Sequence, residues 1–155
     1  MVQRNRPRIV IVGVCASGKT VLANALQELG YNARAMAQEH SFVLGMWRAH
    51  GQPNVLICLD AEAETVNRRL SRADWTALAV AEQRTRLRDA YSCCDLHLAT
   101  DELTEAQVLE QVVTFLRDGW PERPEADPDA RAPSERKWIA RDARGRPRKR
   151  SSRRP

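Results

Sequence analysis

Residues 8–20 constrain this chain more than any other stretch. Arg8-Ile9-Val10-Ile11-Val12 is β-branched and almost wholly apolar, the pattern of a strand buried on both faces of a parallel sheet. It runs directly into Gly13-Val14-Cys15-Ala16-Ser17-Gly18-Lys19-Thr20, and a helical stripe begins inside that string. A strand ending on glycine, a short turn and a helix opening on Gly-Lys-Thr form an arrangement that cradles polyphosphate. Gly13 and Gly18 let the turn tighten until its N–H groups point inward at anionic oxygens. The helix that follows aims the positive end of its dipole at the same place. Lys19 reaches the terminal phosphates as a mobile point charge, and Thr20 offers a hydroxyl to Mg²⁺. The expected nucleotide-binding residues are therefore Gly13, Val14, Cys15, Ala16, Ser17, Gly18, Lys19 and Thr20.

The segments that follow alternate. A helix is expected over residues 18–29 with Val21, Leu22, Ala25, Leu26 and Leu29 inward, closed by Gly30 in a C-cap position. Residues 31–37 read as a second strand, and 41–49 as a short helix with Ser41 as N-cap. Gly51-Gln52-Pro53 is a break. Val55 to Leu59 is a strongly apolar strand closed by Asp60. Residues 62–71 and 76–92 read as helices parted near Asp74, and Leu96 to Ala99 as a last strand. The closing helix spans 104–117, with Thr104 as N-cap and Val108, Val112, Phe115 and Leu116 inward. Short strands alternating with helices predict an α/β three-layer sandwich, a small parallel sheet of about four strands covered on both faces.

Composition divides the chain in two. Residues 1–119 hold 13 Lys and Arg against 14 Asp and Glu, whereas residues 120–155 hold 12 against 6 and six of the eight prolines. The net charge of +5 therefore belongs to the C-terminal stretch, and says nothing about nucleic-acid binding by the folded part. Residues 1–119 are expected to be one nucleotide-binding domain and 120–155 a disordered, basic, Pro- and Arg-rich tail with a helical turn around Lys137-Trp138-Ile139. Arg144-Gly145-Arg146-Pro147 resembles an AT-hook. The plainer expectation is weak, salt-sensitive contact with nucleic acid or another polyanion through residues 136–155. No run of 18 apolar residues exists, so no membrane partner is expected. The apolar run from Ile9 to Ala16 follows basic residues as in a signal peptide, but it is short, breaks at Ser17-Gly18-Lys19 and is followed by no small-x-small cleavage site, so a cytoplasmic protein is expected. Cys15, Cys58, Cys93 and Cys94 show no CxxC spacing and read as reduced, mostly buried small hydrophobes.

On residues 13–20 the chain resembles the P-loop NTPases, and among them the small nucleoside- and nucleotide-kinase-like group that includes adenylate and shikimate kinases. Weaker likeness lies in Val55-Leu56-Ile57-Cys58-Leu59-Asp60 followed by Arg68-Arg69-Leu70 and Arg72, which looks like the late strand and arginine-bearing lid entrance of those kinases. Cys94 to Asp101 looks like their last strand. Gln38-Glu39-His40-Ser41 after the second strand is shared with short bacterial P-loop proteins that bring no activity with them. The resemblance implies a P-loop NTPase fold over residues 8–117, with ATP and Mg²⁺ as cofactors. The chain departs from those kinases in showing four strands rather than five. It also leaves room for only one short helix between residues 37 and 54, so the small-molecule acceptor is not carried over.

Two acids stand at strand ends, where ligands gather in a parallel sheet. Glu39 follows the second strand, beside His40, and Asp60 closes the apolar run before it. Either could serve the metal alongside Thr20; Asp60 could instead cap the following helix. Lys19, Glu39, Arg68 and Arg72 are the expected catalytic residues, with Arg69 on the same helix and Arg84, Arg86 and Arg88 on the next. Phosphoryl transfer is mostly positioning and charge neutralisation, which is what a closing helix bearing arginines supplies. Two functions follow: a kinase or NTPase passing the γ-phosphoryl group from a nucleoside triphosphate, or a nucleotide-dependent binding module whose tail engages nucleic acid.

Overall fold

Strand β1 (Arg8–Gly13) is buried along nearly its whole length and forms the centre of the architecture. It pairs in parallel with β2 (Asn32–Ala35) on one side, Arg8 opposite Asn32, and with β3 (Val55–Asp60) on the other, Ile9 opposite Val55. Strand β4 (Leu96–Ala99) lies beyond β3, with Ile57 opposite Leu96. The sheet has the order β2-β1-β3-β4, all parallel. This is a computed structural model, and it describes residues 6–119. The expected tail, its helical turn and the AT-hook-like string lie outside those residues.

Alternation along the strands sorts the apolar side chains into two layers. Ile9, Ile11, Ala33, Val55, Ile57 and Leu59 face α1 (Lys19–Glu28) and α4 (Glu105–Asp118). Val10, Val12, Leu56 and Cys58 face Trp47 and the pair α2 (Ala63–Leu70) and α3 (Ala77–Cys93). The two layers account for the continuous apolar runs of β1 and β3: each residue has a covered face to fill, and each fully buried Ile or Leu contributes about 1.5–3 kcal/mol. Helix α4 starts where expected, on a capping box in which the Thr104 hydroxyl accepts from the Gln107 amide and the Gln107 side chain accepts from the Thr104 amide. Among the described residues, no helix is long and apolar enough to cross a membrane.

Three local expectations are corrected. Helix α1 buries Leu22, Ala23 and Leu26, while Val21 and Leu29 are 43% and 58% exposed. The apolar stripe is therefore narrower than the sequence suggests, but the expected glycine closure is present: Gly30 lies at φ 87°, its amide donates to the Gln27 carbonyl at 2.9 Å, and the Tyr31 amide to the Leu26 carbonyl at 2.9 Å. On α4, Val113 is buried, and Phe115 packs only partly against the core. Residues 41–49 do not form a helix capped by Ser41. Instead two single 3₁₀ turns, Gln38–His40 and Met46–Arg48, flank an extended Ser41 whose hydroxyl accepts from the Val43 amide. The buried Gln38 side chain holds this segment together. It accepts from the Trp47 amide at 3.0 Å and donates to the Val43 and Arg86 carbonyls at 2.8 and 3.3 Å. Those side-chain bonds replace the helical ladder.

Candidate functional site

The chain leaves β1 through α1 toward β2 and leaves β3 through α2 and α3 toward β4, on opposite faces of the sheet. Strand order therefore reverses between β1 and β3, and a crevice opens at their carboxyl ends, where an open parallel sheet places its ligand. The 13–20 loop fills the mouth of that crevice. Gly13 is needed there because a Cβ would fall 2.4 Å from the Leu59 carbonyl oxygen and 2.6 Å from Ser17 Oγ. Gly18 begins α1 at φ 99°, in the left-handed region that glycine adopts without strain. Ala16 also lies in that region, at φ 56°, at a cost of about 1 kcal/mol that its neighbours must offset.

Lys19 does not extend into solvent. Its Nζ donates to the carbonyls of Gly13 and Val14 at 2.9 and 3.0 Å and forms an ion pair with Glu39 Oε1 at 2.8 Å. Glu39 is buried, with its side chain 4% exposed, although it belongs to a one-turn helix. His40 Nε2 stands 3.6 Å from the same Oε1 at the surface. The second carboxylate oxygen, Oε2, is buried with no hydrogen-bond partner among the described residues, as is Ser17 Oγ. A buried carboxylate with an empty oxygen costs free energy unless something completes it.

Two helices grip the loop from outside. From α3, Gln83 Oε1 accepts from the Cys15 amide at 2.8 Å. From α2, the Arg69 guanidinium donates to the Ala16 carbonyl at 2.8 Å and to Thr100 Oγ1 and the Thr100 carbonyl at 3.0 and 2.6 Å. The Thr100 hydroxyl donates onward to the Ser17 carbonyl at 3.1 Å. Beside this knot lies a cleft of about 730 Å³, running from the loop between α1 and α4 and lined by Lys19, Thr20, Arg69, Thr100, Thr104 and Leu109 among others. Thr20 faces it and is exposed.

The structure brings together only part of what the sequence proposed. Loop residues 13–20 and Glu39 meet at Lys19, while Thr20 lines the cleft, of which Glu39 is not part. Of the α2 arginines, Arg69 is the one at the loop. Arg68 is turned toward the Asp101 carbonyl at 3.4 Å, and Arg72 bonds exposed Asp74. Asp60 is engaged elsewhere: Oδ1 accepts from Arg84 Nε at 3.0 Å and from the Ala61 amide at 3.1 Å. Arg84 also bridges to Glu62 at 2.9 Å, and Arg88 bonds its own helix. Arg86 donates to the Glu39 carbonyl at 3.2 Å and stacks 4.6 Å over the exposed Phe42 ring. Gln83 went unread at the sequence level, yet it sits on the buried stripe Val80, Gln83, Leu87, Ala90, and a polar residue on an apolar stripe is a legible signal.

Burial, reinforced by the charge of Asp60, holds the Tyr91 phenol well above its ordinary range; its Oη donates to the Leu59 carbonyl at 2.9 Å. A hydrogen bond with the Cys94 thiol, with burial adding to it, pushes the Cys58 thiol upward, so it behaves as inert core. No disulfide joins the four cysteines, of which Cys58 alone is buried and the others are half-buried, and among the described residues no cluster of three or more His, Cys, Asp or Glu stands ready for a metal ion. Mg²⁺ takes one or two protein oxygens and draws the rest from phosphate and water. Thr20 and the unpartnered Glu39 Oε2 fit such a set; Asp60, tied to Arg84, fits it less well. Comparison with protein-family models and with curated proteins gave no match.

Proposed function

We propose that the chain is a P-loop protein that binds a nucleoside triphosphate with Mg²⁺, and that it is a small-molecule kinase of the nucleoside or nucleotide type. The observation that carries this reading is Lys19, held in the mouth of a glycine loop between two loop carbonyls and a buried glutamate whose second oxygen is empty. A lysine in that place has little packing value, and a glutamate opposite it has a role once the lysine turns to an anion. The α1 N-terminus and the loop amides favour the phosphates, and Lys19 exchanges Glu39 for the terminal phosphate oxygens. That exchange frees the carboxylate. Thr20 and Glu39 are the residues that would hold Mg²⁺, which supplies neutralising charge to the phosphates when bound. Arg69 fixes the Ala16 carbonyl from outside, and the cleft beside it has room for the rest of the nucleotide. The acceptor approaches from the side of Glu39 and Arg86.

The test is calorimetry with MgATP on the full chain and on Lys19→Ala, then ADP release with a panel of nucleosides, nucleotides and small hydroxylated metabolites. Saturable binding that Lys19→Ala abolishes, with ADP formed only beside one acceptor, supports the kinase. Tight binding with no turnover removes the kinase step and leaves a nucleotide-dependent binding module. No saturation at millimolar MgATP overturns the reading. Removal of residues 120–155 is expected to leave ATP binding intact.

A further inference from the structure

One peptide plane of the loop is pinned from both ends. The unit joining Val14 to Cys15 carries the Val14 carbonyl at one edge and the Cys15 N–H at the other, and planarity makes them point opposite ways. The carbonyl accepts from Lys19 Nζ at 3.0 Å and from the Ser17 amide at 3.2 Å. The N–H donates to Gln83 Oε1 at 2.8 Å, across 68 positions of sequence. Gln83 is 5% exposed, in the middle of the 17-residue helix α3, so its side chain has few other places to go.

We infer that Gln83 is a positioning residue for Lys19, acting through this plane. By holding the Cys15 amide outward it keeps the Val14 carbonyl turned inward, where it orients the ammonium and closes the turn to Ser17. Without an acceptor at residue 83 the half-buried Cys15 N–H loses its protein partner, and rotation of the plane becomes a way to recover a bond. Rotation takes the Val14 oxygen away from Lys19, removing one of its three oxygen partners, and frees the Ser17 amide. The same helix face carries Arg86, whose guanidinium holds the Glu39 carbonyl and whose carbonyl accepts from Gln38. Helix α3 is therefore a strut that fixes the separation of Lys19 and Glu39, with Gln83 as its contact to the loop.

The affinity part of this inference rests on the proposed function. The experiment compares wild type, Gln83→Leu and Val80→Ala, the last a cavity in the core that α3 shares with Val14, which removes no hydrogen bond to the loop or to Glu39. Binding of MgATP is measured at 10 °C, with folding checked by circular dichroism. Gln83→Leu is expected to bind MgATP about tenfold or more weakly, while Val80→Ala melts at a lower temperature but keeps wild-type affinity. Equal affinity of Gln83→Leu and wild type overturns the positioning role, as does an equal loss in Val80→Ala. Failure of wild type to bind overturns the proposed function instead. Amide exchange on ligand-free wild type decides the geometric part if Gln83→Leu does not fold. The Cys15 N–H is expected to be protected like the β1 amides, and exchange at the rate of an open amide overturns the inference.

Discussion

Removing the charge of Glu39 while keeping its shape separates two effects that deletion confuses. Lys19 Nζ and Glu39 Oε1 are 2.8 Å apart, with side chains 11% and 4% exposed. At an effective dielectric of about 20 their attraction is roughly 6 kcal/mol, and the loss of hydration costs several kcal/mol per ion, so the pair nearly cancels. Glu39→Gln keeps an oxygen for Lys19 but leaves the ammonium without its countercharge, and is expected to lose about 1–2 kcal/mol. Glu39→Ala leaves the ammonium with two carbonyls and a void, and is expected to lose about 3 kcal/mol, roughly 10 °C of Tm. Thermal melts at pH 7 and low salt read the difference. In nucleotide binding the order changes. With EDTA present, Glu39→Gln is expected to bind ATP about threefold tighter than wild type, because the phosphates no longer compete for Lys19. With Mg²⁺ and the acceptor, its turnover falls by about 10² or more. Equal melting temperatures for Gln and Ala variants refute the ion-pair reasoning, and undiminished turnover by Glu39→Gln refutes a catalytic part for this carboxylate.

Arg69→Ala is expected to weaken MgATP binding about tenfold, since it releases the Ala16 carbonyl and both Thr100 contacts, while Arg68→Ala and Arg72→Ala stay within about twofold; the reverse order in calorimetry refutes the assignment of Arg69. Gly13→Ala forces a Cβ to 2.4 Å from the Leu59 carbonyl oxygen and is expected to lose about 1–3 kcal/mol; an unchanged denaturation midpoint means the loop and β3 are not this close. Because Tyr91 is raised in the native state, chiefly by burial and then by Asp60, the native state keeps the proton longer than the unfolded chain. Its contribution is whole below pH 10.0, the ordinary phenol value, and is lost as pH climbs past it. Absorbance at 295 nm should show Tyr91 titrating only as the alkaline transition begins, and a Tyr91 signal at the ordinary phenol pH contradicts the burial.

The sheet was legible because its signals are local. β1 and β3 carry apolar runs that only two-sided burial explains, and Thr104 and Gln107 announce α4 three residues apart. The loop was legible because its glycines and lysine leave few alternatives. Residues 38–48 were not, since one-turn helices have no periodicity and this segment is fixed by a single buried glutamine reaching Trp47, Val43 and Arg86. The α2 arginines could not be ranked from sequence either. Neighbours on a helix differ by about 100° in direction, so the facing of Arg69 rather than Arg68 depends on how α2 docks against β4 and the loop. Asp60 ended an apolar run as a metal-binding acid would, but Arg84 lies 24 positions on, and only the packing of α3 brings them together.

The segment between β2 and β3 is tied to the remainder at many points: Glu39 to Lys19 and Arg86, Gln38 to Arg86, the Trp47 indole and Arg48 to Asp89, and the His50 and Gln52 carbonyls to Arg8. Lys19 is one end of the first of these ties, so the glycine loop and the segment are coupled through Glu39. A change in how the segment sits is therefore felt at Lys19, and the two cannot be altered independently. Redesign of this face toward a different proposed acceptor is best confined to residues 42–45, with Gln38, Glu39, Trp47 and Arg48 kept in place.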